Sequence, residues 1–187
     1  SVSGFDLTQR FVQTVIYDVP FFKSMQGAAK HILDGWQVST IITEQSGFPT
    51  PVTRATLDTT GTGISSRPDV VPGQNGNLPG SERTWARWFN TAAFTTAPFG
   101  RFGTSSRTAA IRLPGLNNVD FSVSKSVRLH ESRSLQFRVE TFNLFNHFNP
   151  DPATLDRSLT SATYGTIGGG VRGLTTRVIQ VGAKFYF

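Results

Sequence analysis

Cysteine is absent from the 187 residues, which excludes a disulfide scaffold and any cysteine-ligated metal site. Long hydrophobic runs are absent too. No stretch approaches the roughly 18 apolar residues that a membrane-spanning helix needs, which leaves open a membrane protein built from strands. Apolar residues other than glycine and proline make up a modest 37% of the chain. A basic block is also missing. The net charge of +6 and a pI near 10.3 raise nucleic acid as a partner, but the arginines are scattered from Arg10 to Arg177. No nucleic-acid partner is therefore expected. Ser1 to Phe5 show no basic region followed by an apolar stretch, so the chain does not open on a signal peptide.

What is present is aromatic: 12% of the residues, with sixteen phenylalanines. Five segments alternate with period two, the mark of strands with two unlike faces. In residues 5–19, Leu7, Phe11, Val15, Tyr17 and Val19 share one face, and Pro20 ends the run because it has no N–H for the ladder. In 32–47, Trp36, Val38, Thr40 and Ile42 oppose Gln37, Ser39, Thr43 and Gln45. In 118–129, Val119, Phe121, Val123, Val127 and Leu129 alternate with Asp120, Ser122, Ser124, Ser126 and Arg128, and Lys125 interrupts the apolar face. In 134–146, Leu135, Phe137 and Val139 oppose Gln136, Arg138 and Glu140; the pattern reverses at Phe142 and Leu144, as at a bulge or where a strand leaves the membrane. In 177–187, Ile179, Val181, Ala183, Phe185 and Phe187 form one apolar face.

The connections alternate short, long, short, long. Residues 21–31 and a tight turn at 130–133 are the short ones. Residues 49–115, rich in Gly, Pro, Ser, Thr and Asn, and 147–176, with Gly168-Gly169-Gly170, are the long ones; a short strand is expected at about 48–54. Loops of this length count against a compact soluble domain. They fit a membrane barrel, with its short periplasmic turns and long extracellular loops. The strands are at least as long as the ~9–11 residues of a tilted transmembrane strand, whereas ordinary strands centre near 5–6. Aromatics gather toward strand ends, at Phe5, Tyr17, Trp36, Phe48, Phe142, Phe145 and Phe185, where a ring with one wet and one dry side suits the membrane boundary. The fold expected is all-β: about five long antiparallel transmembrane β-barrel strands with two long loops. They form a partial barrel that needs further strands or other copies to close, because bare sheet edges do not persist in lipid. Because an outer-membrane protein must be exported, the chain is expected to be either mature or a piece of something longer. Its basic character suits a surface beside lipopolysaccharide phosphates. The first alternative is a piece that self-assembles through its open β edges into a fibre or tube; a further one is a secreted carbohydrate-binding β-sandwich.

The ending Val181-Gly-Ala-Lys-Phe-Tyr-Phe187 resembles the carboxy-terminal signal read by the barrel-assembly machinery, carried by Ile179, Val181, Ala183, Phe185 and Phe187. Five further motifs join it: Phe137-Arg-Val-Glu-Thr-Phe-Asn-Leu-Phe-Asn-His147, Leu113-Pro-Gly-Leu-Asn-Asn-Val-Asp120, Gly35-Trp-Gln-Val-Ser39, Gln45-Ser-Gly-Phe-Pro49 and Trp88-Phe-Asn-Thr-Ala-Ala-Phe94. Together, spread over nearly the whole chain and in the order found in that family, they resemble the final strands of Oar-like TonB-dependent receptors. The resemblance implies that residues 1–187 are the carboxy-terminal part of a large plugged barrel that draws energy through TonB. The chain departs from that pattern in carrying no plug, no TonB-contacting box and too few strands. The partners implied are outer-membrane lipid and lipopolysaccharide, the barrel-assembly machinery, and the remaining receptor strands and plug, or other copies of the chain.

No catalytic set emerges, no cofactor is expected, and the chain is not expected to be an enzyme. Asp120 and Glu140 are a candidate acid–base pair, weighed against solvated lumen charges partnered by Arg128 or Arg138. His31, His130 and His147 are too far apart for metal-ligand spacing, and Ser46 does not fit a nucleophile elbow. The triple glycine lacks the Gly-Lys-Ser/Thr of a phosphate loop. Trp36 is expected to anchor at the lipid boundary. Trp85 and Trp88 are the candidate loop contacts for a ligand or partner, against packing of the loop on itself. Asn143 and Asn146 are expected to bond turn backbone.

Overall fold

The computed structural model describes residues 2–20, 26–53, 58–63, 67–130 and 133–187. Five long strands make one antiparallel sheet: β1 (Arg10–Asp18), β2 (Trp36–Gln45), β7 (Leu116–His130), β8 (Arg133–Phe142) and β9 (Val178–Tyr186), in the order β1-β2-β7-β8-β9. Four two-residue strands lie in the loops: β3 (Pro49–Thr50) pairs with β6 (Ile111–Arg112), and β4 (Asp69–Val70) pairs with β5 (Phe94–Thr95). One short helix, α1 (Ala28–Leu33), precedes β2. The long strands have 9, 10, 15, 10 and 9 residues, enough for tilted strands to cross a bilayer, which takes about 9–11. The sheet is open, with β1 and β9 as its edges. No second sheet of long strands faces it among the described residues, so the sandwich alternative is not the fold these strands adopt.

The register sorts the side chains as the alternation predicts. Val123 pairs with Val139 and Val139 with Val181; Val127 pairs with Leu135 and Leu135 with Phe185. One face of β7, β8 and β9 is therefore an apolar field, interrupted by Lys125 and Thr141. On the other face Ser122 opposes Glu140, and Glu140 opposes Gln180. The Ser39 and Ser122 hydroxyls share a 2.7 Å hydrogen bond, and Gln37 Nε2 donates to Asp18 Oδ1 at 2.8 Å, which extends the polar face across β2 to β1. Burial runs opposite to that of a water-soluble sheet. Asn118, Ser122 and Ser124 are buried, while Phe137, Val139, Val181 and Phe185 are exposed.

The chain divides into two compact units. The strand unit comprises Arg10–Glu44, Asn117–Phe148 and Gly173–Phe187; the loop unit comprises Ser1–Gln9, Gln45–Leu116 and Asn149–Arg172. The buried hydrophobic cluster belongs to the loop unit: Val52, Phe89, Ala93, Phe94, Ile111, Leu155 and Ile167. Phe89 sits at its centre, edge-on to Phe94 at 6.1 Å and to Tyr164 at 5.2 Å between ring centroids, a favoured aromatic geometry. The long loops thus form a small folded body of their own.

Several expected boundaries shift. The first strand begins at Arg10 rather than Phe5, because residues 5–9 serve the loop unit: the Asp6 carboxylate meets Arg112 at 2.5 Å. The second begins at Trp36 rather than Ile32, because Ile32 and Leu33 close α1, so the short link expected at 21–31 holds helix as well as turn. Residues 21–25 of that link lie outside the described residues, as do Glu131 and Ser132 of the tight turn and Arg54 of the expected short strand, of which Pro49–Thr50 forms. The fourth strand stops at Phe142. The reversal at Phe142 and Leu144 is the end of the strand, not a bulge within it, since Asn143 turns to φ 52°.

Candidate functional site

The apolar face is the largest candidate surface. It is built by period-two placement of β-branched and aromatic residues, and the ladder fixes its register: a slip of one residue would send every apolar side chain to the polar face. At one rim Trp36, 38% exposed, starts β2 and donates its indole N–H to Ile32 O at 3.0 Å. Lys125 falls on the apolar face opposite Phe137. Its ammonium lies 5.7 Å over the Trp36 ring and donates to the Asp34 carbonyl, so its alkyl stem crosses apolar surface while the charge reaches the rim.

The polar face brings Asp120 and Glu140 to one hollow of about 70 Å³, together with Ser39, Ser122 and Arg138. The carboxylates are engaged separately. Glu140 meets Arg138 Nε at 3.0 Å. Asp120 Oδ1 accepts from Asn118 Nδ2 and from the Asn143 N–H, each at 2.9 Å, so Asp120 has amide rather than arginine partners. This hollow holds only a few waters. Among the described residues no group of His, Cys, Asp and Glu is placed to hold a metal ion.

In the loop unit Trp88 is half-buried against the core cluster. Its indole N–H donates to Arg112 O at 3.0 Å, and Arg83 lies over its ring. Trp85 is 44% exposed, with its carbonyl accepting from the Ile167 N–H. Asp69 takes a two-pronged hydrogen bond from Arg101 at 2.9 and 2.5 Å and a third from the Thr104 N–H at 3.0 Å. The Arg101 hydrogen bond, more than any other cause, holds the Asp69 carboxyl below the usual carboxylate range. Burial pushes the Tyr164 hydroxyl well above the ordinary tyrosine value, and the nearby Asp156 charge adds to this, so Tyr164 stays a neutral packing residue.

Several residues quoted for the family resemblance hold the chain's backbone crossings. A Cβ at Gly47 would strike the Leu113 carbonyl, and one at Gly115 would strike the Gln45 carbonyl, so the Gln45-Ser-Gly and Leu113-Pro-Gly segments can cross only as glycines. Ser46 Oγ donates to Gln9 O and accepts from the Gln9 N–H, which gives that serine a structural duty. Arg112, beside this crossing, bonds the Asp6 carboxylate and the Gly47 carbonyl. Sequence reading did not single Arg112 out; the only signal was its place one residue before Leu113. Asn143, fully buried, accepts from the His147 N–H and donates to the His147 and Leu174 carbonyls. Asn146 Oδ1 accepts from the Arg177 N–H. Both asparagines thus bond turn backbone.

The side chains of Ile179, Val181, Ala183 and Phe185 on β9, and of Phe187 just after it, are all exposed, and the Phe185 and Phe187 rings stack at 6.3 Å. Residues 1–180 match the family model described as an outer membrane beta barrel domain. No curated protein and no solved structure matches the chain.

Proposed function

Since the chain belongs to the outer membrane beta barrel domain family, we propose that it is the carboxy-terminal part of a TonB-dependent receptor barrel, and that its work there is uptake rather than catalysis. The observation that carries this reading is the open, two-faced sheet of five bilayer-length strands whose loops fold into a compact unit. A simple pore has little use for a folded loop body, whereas a receptor needs a shaped surface to select a large or scarce substrate. In this reading the exposed Trp85 ring is the loop unit's contact for a ligand, Trp88 sets the wall behind it, and β9 with Phe187 is read by the barrel-assembly machinery. The remaining strands and plug close the barrel, and lipid and lipopolysaccharide surround it. Binding of the full-length protein to the periplasmic domain of TonB tests the reading. A barrel that inserts normally but never engages TonB would defeat the receptor role and leave the barrel standing.

A second reading is favoured by one observation: β1 and β9 are exposed along their whole length and present unpaired ladder groups. Such edges recruit further strands, and copies of the chain could add edge to edge into a fibre or tube. Light scattering of the isolated polypeptide against concentration separates the two. Discrete particles at high concentration would end the self-assembly reading.

A further inference from the structure

We propose that the short-turn rim of the sheet carries a binding site for the phosphate of an anionic glycerophospholipid. The site is a concavity of about 680 Å³ bounded by the end of α1 and the last turns of β7. This volume suits a small molecule or lipid headgroup. Lys30, Lys125 and Arg128 line it, and His130 closes its end. The one acidic residue among the described lining residues, Asp34, turns its carboxylate to the Gly35 N–H at 2.8 Å. Among the described residues no carboxylate forms an ion pair with Lys30, Lys125 or Arg128. The concavity is therefore net positive.

Its walls are not those of a site for a free anion. Val127 and Leu129 also line it; by register Val127 stands on the apolar face with Lys125, and Leu129 is exposed. The Lys125 ammonium lies over the Trp36 ring. Lys125 reaches the rim from the apolar face, and Arg128, on the opposite face by register, lines the same concavity at the strand end. Cations at the rim of an apolar face fit an amphiphile, with the phosphate at the cations and the acyl chains running down the face. The same rim holds the turn between β7 and β8 and the end of β9, since His130 pairs with Arg133 and Ser134 with Tyr186. Short turns mark the periplasmic side of outer-membrane barrels. The occupant is therefore a phospholipid rather than lipopolysaccharide, which lies at the long-loop side. The site needs only the membrane-spanning sheet and is independent of the transport reading.

The test is native mass spectrometry of the full-length protein released from micelles containing equal amounts of phosphatidylglycerol and phosphatidylcholine. Phosphatidylglycerol should be retained at least ten-fold over phosphatidylcholine. Lys30→Gln and Arg128→Gln, both at exposed positions, should each lower that preference about five-fold, as expected for loss of a single charge near a membrane surface, and the double variant should abolish it. Leu129→Ser, which leaves every charge in place, should also weaken retention. Arg10→Gln, at the start of β1, should leave it unchanged. The heat-resistant folded band on a gel checks that each variant is a folded barrel. Equal retention of the two lipids would overturn the site, as would K30Q and R128Q variants that bind like the parent. Displacement of the lipid by millimolar inorganic phosphate would overturn the lipid assignment in favour of a phosphate site.

Discussion

At the residue scale, the loop unit depends on one ring. Phe89 is 1% exposed and touches aromatic partners on two sides, so truncation leaves a cavity that loop backbone cannot easily fill. Phe89→Ala should cost the loop unit about 3–5 kcal/mol. Native-state hydrogen exchange should show this as lost protection across 49–115 and 149–172, while amides of β7 and β8 stay protected. The Asp69 carboxylate gives the same unit a pH dependence. Its folded pKa is depressed, chiefly by the hydrogen bond from Arg101. Its stabilisation is therefore complete above the unfolded value, near 4, and is lost as the pH falls through the folded value. Exchange protection of the loop unit should drop as the pH falls below about 4, and Asp69→Asn should flatten part of that drop. Asp58, held low chiefly by its hydrogen bond with Thr60, should supply some of the rest. At Asp156 burial pushes the carboxyl up, but hydrogen bonds from Ser161, Thr163 and Ser158 outweigh it, so it adds to the same acid limb. Neither Phe89 nor Asp69 was legible as a stabilising residue. Loop residues have no period to reveal which side faces a core, and an Asp–Arg pair 32 positions apart leaves no trace in local pattern.

At the scale of elements, the faces of the strands were legible and their ends were not. The alternation alone placed Val123, Val139 and Val181 on one face, and the ladder pairs them directly; the interruption at Lys125 was legible for the same reason. Ends are decided by partners distant in sequence. β1 starts at Arg10 because Asp6 is held by Arg112, and β8 stops at Phe142 because Asn143 takes φ 52° and its side chain bonds the backbone of His147 and Leu174. Two substitutions separate these contributions. Asn143→Gly keeps the left-handed backbone and loses the buried hydrogen bonds, at about 2 kcal/mol. Asn143→Ala also meets the cost of positive φ and should lose about a further 1 kcal/mol. Urea unfolding midpoints of the full-length barrel should rank native above Gly above Ala. Glycine and alanine variants of equal stability would mean that backbone conformation contributes nothing there.

At the scale of the whole molecule, the centre of the sheet buries Ser122 and Ser124 on its polar face and exposes Phe137 and Val139 on its apolar face, and a solvent that is itself apolar makes that arrangement stable. Ser122 and Ser124 are covered by neighbouring strands and hydrogen bonds, while Phe137, Val139, Ile179 and Val181 stand open. In water the exposed field would draw in another apolar surface; in a bilayer it meets acyl chains at no cost. This makes a sharp prediction for two adjacent positions on β9. Val181 opposes Val139 on the apolar face, and Gln180 opposes Glu140 on the polar face. Arginine at Val181 must bring a charge into hydrocarbon near mid-strand, which costs about 2–4 kcal/mol on the lipid face of a barrel. Arginine at Gln180 meets a carboxylate in a wet environment and should change stability by less than about 1 kcal/mol. Folding of the full-length protein into phospholipid vesicles, followed by tryptophan fluorescence against urea, measures both. A large loss for V181R with little change for Q180R assigns the apolar face to lipid. The reverse order would place water outside the sheet and a packed core within it, which is the only arrangement of these strands that would take the chain out of the membrane.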